Sequence, residues 1–162
     1  MPVAPRLDPE RHAAFQIVAL ANRISSSASR IYLRDFGVGV MEWRVLALAA
    51  LRPAISAAEI SQMSGVDKSP VSRAIQTLVG RGLMQARGDA GDNRRILLSL
   101  TASGEALHDR IIEVSLERDD QLLAGLSAAE RAALFGLFRR LAANLAAAEA
   151  APGVQSGRLD PI

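Results

Sequence analysis

The sequence predicts a mainly α fold with one small β-hairpin (α+β), a winged helix-turn-helix flanked by long helices at both chain ends. Apolar residues recur every three or four positions over most of the 162 residues, which is typical of amphipathic helices. A short helix, a Gly-containing turn and a second helix with a polar face follow one another over residues 57–83. Two short runs with strand periodicity then flank a turn-rich segment, and this arrangement predicts a hairpin wing.

The N-terminal part predicts one long helix over residues 8–36. Asp8 and Pro9 supply a start signal, apolar residues then repeat at helical spacing, and Gly37 ends the helix. Because so long an apolar stripe exceeds what a small chain can cover, it indicates a partner subunit. A second helix over residues 40–51 is apolar almost all round, so we interpret it as central core.

Residues 56–67 predict the first helix and the turn of the helix-turn-helix. Ser56 and Glu59 have the spacing of a capping box, which begins a short helix over residues 57–63. Gly65 lies in the tight turn that follows. Asp67 then offers an N-cap for the next helix, and Pro70 falls in its first turn, where the missing N–H costs little.

The helix that starts after Asp67 has two distinct faces. One face is an apolar stripe that consists of Val71, Ile75, Leu78 and Val79. Gly82 then supplies the left-handed residue that ends the helix. The other carries hydrogen-bond donors and neither acidic nor large apolar side chains: Lys68, Ser69, Ser72, Arg73, Gln76 and Thr77. Arg can fork onto guanine and Gln onto adenine, so this face suits a DNA major groove. The alternative is a surface helix of an ordinary helical domain, since polar outer faces are common.

Residues 83–87 and 96–100 predict the two strands of the hairpin, and Gly, Asp and Asn dominate the segment between them. The charged tip carries Asp92, Arg94 and Arg95. Arginines at a wing tip can enter a minor groove, where negative potential attracts them. The alternative is a solvated tip in which Asp92 and Arg94 merely pair.

Two further helices are predicted after the hairpin. Thr101 caps a helix to about residue 123, and Asp119 and Asp120 near its end oppose the macrodipole, so that end is expected to fray or to pair with an Arg. Ser127 and Glu130 form a second capping box, and Leu at near-heptad spacing follows. We therefore predict a DNA-binding lobe over residues 37–100, dimerisation helices over residues 8–36 and 101–151, and a disordered tail over residues 152–162.

Composition argues for a local polyanion site and against several other classes. Residues 64–100 carry six basic and three acidic side chains (+3), whereas residues 101–151 carry five basic and eight acidic ones (−3). The absence of cysteine excludes disulfides and thiolate metal sites. His12 and His108 lack neighbours that make a metal or triad motif, so we expect no enzyme, no metal and no cofactor. No apolar run approaches the ~18 residues of a membrane span, and no signal-peptide core is present, so a cytoplasmic protein is expected.

Residues 42–104 resemble the MarR family of bacterial transcriptional regulators. Four stretches carry the resemblance, and their joint order and spacing are specific: residues 42–46, 60–65, 67–83 and 92–104. The sequence departs from the family's usual pattern at two positions. Gly39 stands where the family often has a Thr or Ser helix cap, and Pro70 stands where a Thr is common. Lack of cysteine excludes the peroxide sensing of one branch of the family.

The resemblance implies a homodimer that binds a pseudo-palindromic operator in double-stranded DNA. Such proteins usually repress, and small aromatic or phenolic ligands often relieve the repression. The resemblance assigns five residues to the major groove: Ser69, Ser72, Arg73, Gln76 and Thr77. It also makes Arg94 the minor-groove arginine, with Asp92 orienting it.

Two questions stay open at this point. A winged helix can also serve as a protein–protein interaction module or scaffold without operator binding, and fold alone does not decide. Exposed Leu, Phe or Tyr on the donor face would favour that alternative, and the sequence places none there. An effector pocket is expected where the outer helices meet the DNA-binding lobe, although each candidate lining residue can equally be simple core: Phe15, Ile24, Tyr32, Trp43 and Leu46.

Overall fold

The computed structural model describes residues 6–89, 91 and 95–151, and these form six helices and one two-stranded sheet. The elements in chain order are α1 (Ala13–Phe36), α2 (Val40–Leu51), α3 (Ala57–Ser64), α4 (Lys68–Gly80), β1 (Met84–Gly88), β2 (Ile96–Leu100), α5 (Ala102–Leu122) and α6 (Ala128–Ala150). The predicted mainly helical fold with one hairpin is confirmed. The chain divides into two compact units, residues 1–116 and 117–162. The predicted tail, residues 152–162, lies outside the described residues.

The start of α1 differs from the prediction of residue 8. The Asp8 carboxylate accepts the N–H of Glu10 at 3.0 Å and so closes an isolated turn instead of starting the helix. His12 is the N-cap, and its Nδ1 accepts the N–H of Phe15 at 3.2 Å. Because this imidazole satisfies a free N–H of the first turn, the helix begins at Ala13.

The core of the first unit lies between α2, α3, α4 and the hairpin, with side chains added from α1 and α5. Its largest fully buried side chains come from four of these elements, α2 to α5, and their connections: Val38, Val45, Leu46, Ile55, Ile60, Val71, Leu78 and Ile111. The predicted bounds of α2 are confirmed, although its last residue, Leu51, is 70% exposed. Burial of these apolar groups at about 25 cal/mol per Å² is the main force that holds α4 in place.

The wing is an antiparallel hairpin in which Met84 pairs with Leu100 and Gly88 with Ile96. Leu98 and Leu100 point into the core. Ile96 is 59% exposed, because the far end of the hairpin extends beyond the core. A residue outside the predicted strands also joins the sheet. Ile55 exchanges two backbone hydrogen bonds with Leu98, at 3.0 and 2.8 Å, and so ties the segment before α3 to the wing.

In the second unit, Arg131 fastens the turn between α5 and α6. Its guanidinium donates to the carbonyls of Leu126 and Leu123 at 3.2 and 3.1 Å, and it lies 3.7 Å from the Asp120 carboxylate. The expected pairing of that acid with an Arg is thereby confirmed. The second capping box begins α6 as predicted, and no residue of α6 is buried. No helix in the described part of the chain is long and apolar enough to cross a membrane.

Candidate nucleic-acid interface

Helix α4 presents its donor residues on one continuous outer face. The six predicted residues are all exposed: Lys68, Ser69, Ser72, Arg73, Gln76 and Thr77. The opposite side is buried through Val71, Ala74 and Leu78. Val79, which was predicted to belong to the buried stripe, is 38% exposed, and Ala74 takes its place. The helix therefore keeps its donors in solvent while its position is fixed by packing.

Two hydrogen bonds organise the donor face from within. Nη1 of Arg73 donates to Oγ of Ser69 at 2.8 Å, one helical turn earlier. The Thr77 hydroxyl donates to the backbone carbonyl of Arg73 at 3.1 Å. Because the Ser69 hydroxyl accepts from Arg73, it can still donate its own proton outward. Ser69 thus restricts the Arg73 rotamers while the other N–H donors of the guanidinium face solvent.

The cap at the start of α4 is only partly as predicted. Asp67 does occupy the N-cap position, but its carboxylate makes no capping hydrogen bond. Its backbone φ of −55° and ψ of 153° are close to the φ of −64° and ψ of 162° at Ser127, whose side chain does cap, so the backbone conformation does not explain the missing bond. Gly82 adopts the expected left-handed conformation, with φ 69°.

At the wing, Arg95 is engaged within the protein. Its guanidinium donates to Oε2 of Glu59, in the first turn of α3, at 2.8 Å. The same oxygen accepts the N–H of Ser56 at 2.9 Å. These bonds, those from Ser56 first, lower the pKa of Glu59 from its usual 4.5 to about 2. The side chain of Arg95 is therefore bound to α3, the first helix of the helix-turn-helix. The other predicted wing residues, Asp92 and Arg94, lie outside the described residues.

A groove that sequence reasoning missed runs between α4 and the hairpin. It has a volume of about 500 Å³, and its walls include Ile75, Val79 and Ile96. Ser72 and Gln76 of the donor face line the same groove. No pattern in the sequence indicates this groove, because Ile96 keeps the alternation of Leu98 and Leu100 and only the packing of α4 beside the wing creates the groove.

The five residues predicted to line an effector pocket do not all come together. Tyr32, Trp43 and Leu46 are buried in the core of the first unit, and Ile24 is half-buried. Phe15 is 50% exposed and lies about five turns before Tyr32 on the same helix, or roughly 25 Å at 1.5 Å per residue. Phe15 therefore lies apart from the buried cluster within one protomer, and the effector pocket stays a prediction.

An aromatic stack includes His108, which the sequence suggested was only a surface or packing residue. The Trp43 ring lies between Tyr32, at a centroid distance of 5.9 Å, and His108, stacked at 5.5 Å. Nδ1 of His108 lies 3.0 Å from a carboxylate oxygen of Asp109. His108 also lines a cavity of about 330 Å³ with Ser99 and other residues of α2, β2 and α5.

The fold and the donor face define a winged helix-turn-helix protein, and comparison with known proteins identifies its family. The family model described as MarR family matches residues 36–95. The chain is 33% identical to the HTH-type transcriptional repressor NicR of Pseudomonas putida over 53% of this chain and 54% of that protein. It is 30% identical to the uncharacterized HTH-type transcriptional regulator YwoH of Bacillus subtilis over 80% of this chain and 93% of that one.

Solved structures agree with this placement. A crystal structure of a MarR/EmrR family transcriptional regulator from Acinetobacter sp. ADP1 superposes with a TM-score of 0.82 at 32% identity, over 86% of this chain and 98% of that one. The PcaV regulator of Streptomyces coelicolor, solved in complex with its natural ligand, superposes with a TM-score of 0.70 at 26% identity, over 85% of this chain and 96% of that one. The chain belongs to the MarR family of transcriptional regulators. Regulators of this family are DNA-binding proteins and not enzymes.

The matches to curated relatives differ in extent. The alignment with NicR spans about half the length of that relative, and the one with YwoH nearly all of it. The family model covers residues 36–95, which include helices α2 to α4 and strand β1.

Proposed function

We propose that this chain is a transcriptional regulator that binds specific double-stranded DNA through the outer face of α4 and through the wing. The observation that carries this proposal is the exposure of all six donor residues on α4, opposite a side buried through Val71 and Leu78. None of the six is acidic, so phosphates meet no repulsion from this face. A helix about 10–12 Å across fits a major groove about 12 Å wide.

A salt titration of DNA binding tests the proposal. The purified 162-residue chain is titrated onto duplex DNA from upstream of its own gene and onto an unrelated duplex of equal length. A specific regulator binds the first on the order of 10³-fold more tightly or better. The logarithm of its affinity falls with log[salt] by about 0.9 per phosphate neutralised.

Equal and weak binding to both duplexes would call for a selection of bound fragments from the whole genome. If that selection enriches no sequence, operator-specific binding is refuted. The protein-binding alternative would then stand, with the groove that contains Val79 and Ile96 as its surface.

We propose that the regulator acts as a homodimer on a pseudo-palindromic operator. Two helices each leave large apolar side chains exposed. On α1 these are Phe15, Ile17, Val18 and Leu20, and on α6 they are Phe135, Leu137, Phe138, Leu141 and Leu145. A stable interface buries roughly 1,200–2,000 Å² in total, and side chains of this size supply it. Sedimentation at micromolar concentration should give twice the chain mass of 17.2 kDa, and a monomer would refute this part.

We further propose that the protein represses and that a small aromatic or phenolic ligand relieves the repression. NicR is a repressor by name, and PcaV was solved with its natural ligand. In this chain the cavity beside His108 is of suitable size, since small-molecule pockets range from about 300 Å³ upward. A ligand there would shift the population toward a dimer whose recognition helices are wrongly separated for the operator.

Fluorescence offers a direct test of this ligand proposal. Trp43 is the one tryptophan of the chain and stacks on His108. Phenolic and aromatic carboxylic acids at millimolar concentration should change its emission and weaken operator binding together. His108→Ala should abolish both effects. If no such acid alters emission, melting temperature or DNA affinity, this ligand class is excluded.

A further inference from the structure

The turn that follows α4, the recognition helix of the proposed DNA-binding surface, is bonded to the ends of two other helices. Nη1 of Arg81 donates to the backbone carbonyl of Gly37, just beyond the end of α1, at 2.8 Å. The Thr101 hydroxyl, at the start of α5, donates to the carbonyl of Gly82 at 2.7 Å. The N–H of Thr101 donates to the carbonyl of Leu83 at 3.1 Å. Three consecutive residues after α4 therefore connect the recognition helix to the end of α1 and to the beginning of α5.

Electrostatics explains why an arginine suits this position. Gly37 ends α1 in the left-handed conformation, φ 66°, and its N–H bonds back to the carbonyls of Leu33 and Tyr32. The end of α4 lies at Arg81 itself, whose backbone N–H bonds to Thr77. The Gly37 carbonyl, at the negative end of the α1 dipole, accepts from the Arg81 guanidinium, and Arg81 itself stands at the negative end of α4. A cation that bonds this carbonyl offsets the partial charges of two helix ends at once.

A second cation holds the same end of α1 from α5. The guanidinium of Arg110 lies over the ring of Phe36, 5.4 Å from its centroid. The last turn of α1 is therefore held by Arg110 on its side chain and by Arg81 on its backbone. Of these two contacts, the one from Arg81 is the direct bond to the recognition helix.

We propose that Arg81 is a positioning residue that sets the orientation of the recognition helix relative to α1, and that it does not bind DNA. This inference rests on the proposed DNA-binding function. In a homodimer formed through α1, this bond would add to the packing of the core in setting the separation of the two recognition helices. Half-sites on DNA repeat about every 34 Å, and one inserted base pair moves a half-site by 3.4 Å and rotates it. A loosened junction should therefore relax the spacing requirement of the operator.

The first experiment compares Arg81→Met with wild type on two operators, the natural one and one with a base pair inserted at its centre. Arg34→Met is the matched control, because Arg34 is an exposed arginine in the last turn of α1 whose guanidinium pairs with Asp35. We expect Arg81→Met to lose about tenfold or more in affinity for the natural operator and to discriminate less between the two spacings. Its salt slope should equal that of wild type. Arg34→Met should match wild type in all three measures.

The salt slope separates this role from a phosphate contact. If Arg81 neutralised a phosphate, its removal would lower the slope by about 0.9 and leave the spacing preference unchanged. That result would overturn the inference, and so would wild-type behaviour in every measure. If wild type itself shows no preferred DNA, the proposed function fails instead, and the second experiment decides the role of Arg81.

The second experiment needs no DNA. The chain has no cysteine, so Ser26→Cys on α1 and Ser72→Cys on α4, both exposed, allow two spin labels at chosen positions. Labelled chains are diluted with unlabelled chains so that only distances within one protomer are measured. We expect a narrow distance distribution that broadens when Arg81→Met is added and stays narrow with Arg34→Met. An unchanged distribution with Arg81→Met would refute the positioning role.

Discussion

Arg95 and Glu59 join the wing to the first helix of the helix-turn-helix. The Arg95 guanidinium donates to Oε2 of Glu59 at 2.8 Å, and that oxygen also accepts from Ser56 in the capping box. A second capping box of the same sequence, at Ser127 and Glu130, has the same bonds between its own residues. The two boxes therefore form a matched pair within one chain, which allows the effect of the wing contact to be measured.

The first prediction concerns stability below neutral pH. The pKa of Glu59 is lowered to about 2, so its carboxylate stabilises the fold above pH ~4.5 and loses this contribution as the pH falls toward 2. Glu59→Gln should lower the melting temperature relative to wild type at pH 7. This difference between variant and wild type should shrink as the pH approaches 2. Melting followed by circular dichroism over this range checks the expectation.

Glu130→Gln is the control for this experiment. The pKa of Glu130 is also lowered, by the Ser127 hydroxyl and backbone. Glu130→Gln should therefore reduce stability in the same direction, but it should leave the wing intact. If only Glu59→Gln also weakens operator binding, the wing contact has a role in recognition. Equal DNA affinity for the two variants would show that Arg95 and Glu59 serve stability alone.

The second prediction concerns base reading by Arg73. If Arg73 forks onto a base, Arg73→Ala should cost about 1–3 kcal/mol of discrimination at one operator position. Ser69→Ala should have a smaller effect at the same position, because the bond between Ser69 and Arg73, 2.8 Å long, restricts the arginine. Binding to a set of single-base operator variants measures both. A uniform loss across all operators, with a reduced salt slope, would instead identify Arg73 as a phosphate contact.

The third prediction separates the two arginines of the wing. Arg94→Ala should weaken operator binding while the dimer persists, as the resemblance implies for the minor-groove arginine. Arg95→Ala should act mainly on the melting temperature, since its guanidinium is bound to Glu59. Affinity and melting temperature measured on both variants decide the matter. A larger loss of affinity from Arg95→Ala would reverse the assignment.

The fourth prediction concerns a close approach of backbone to backbone. A Cβ placed at Gly104 in α5 would overlap the carbonyl oxygen of Leu83, just after the recognition helix. Gly104→Ala should destabilise the protein by about 1–3 kcal/mol, as overpacking does. Gly136→Ala in α6 is the control, because the nearest atom to its new Cβ is 4.0 Å away, and it should stabilise the helix by roughly 0.5–1 kcal/mol. Urea denaturation of both variants tests this, and equal stability would contradict the overlap.

Much of the fold was predictable because its determinants are local. The bounds of α2, the two capping boxes, the left-handed Gly82 and the strand over residues 96–100 follow from periodicity and from bonds between residues a few positions apart. The donor face of α4 was predictable for the same reason, since a helical period alone separates it from the buried stripe. The start of α1 was wrong because His12, a residue without a strong cap preference, took the capping bond.

The sequence by itself determined which side of α4 is polar, and only the tertiary structure decided what surrounds it. The bonds from Arg95 to Glu59 and from Arg81 to Gly37 join residues 36 and 44 positions apart. The stacking of His108 on Trp43 and the pairing of Ile55 with Leu98 likewise join distant segments. Periodicity and capping report on neighbours within one or two turns. Contacts between distant segments depend on how the apolar stripes of several helices are buried together, and this is settled only when the core forms.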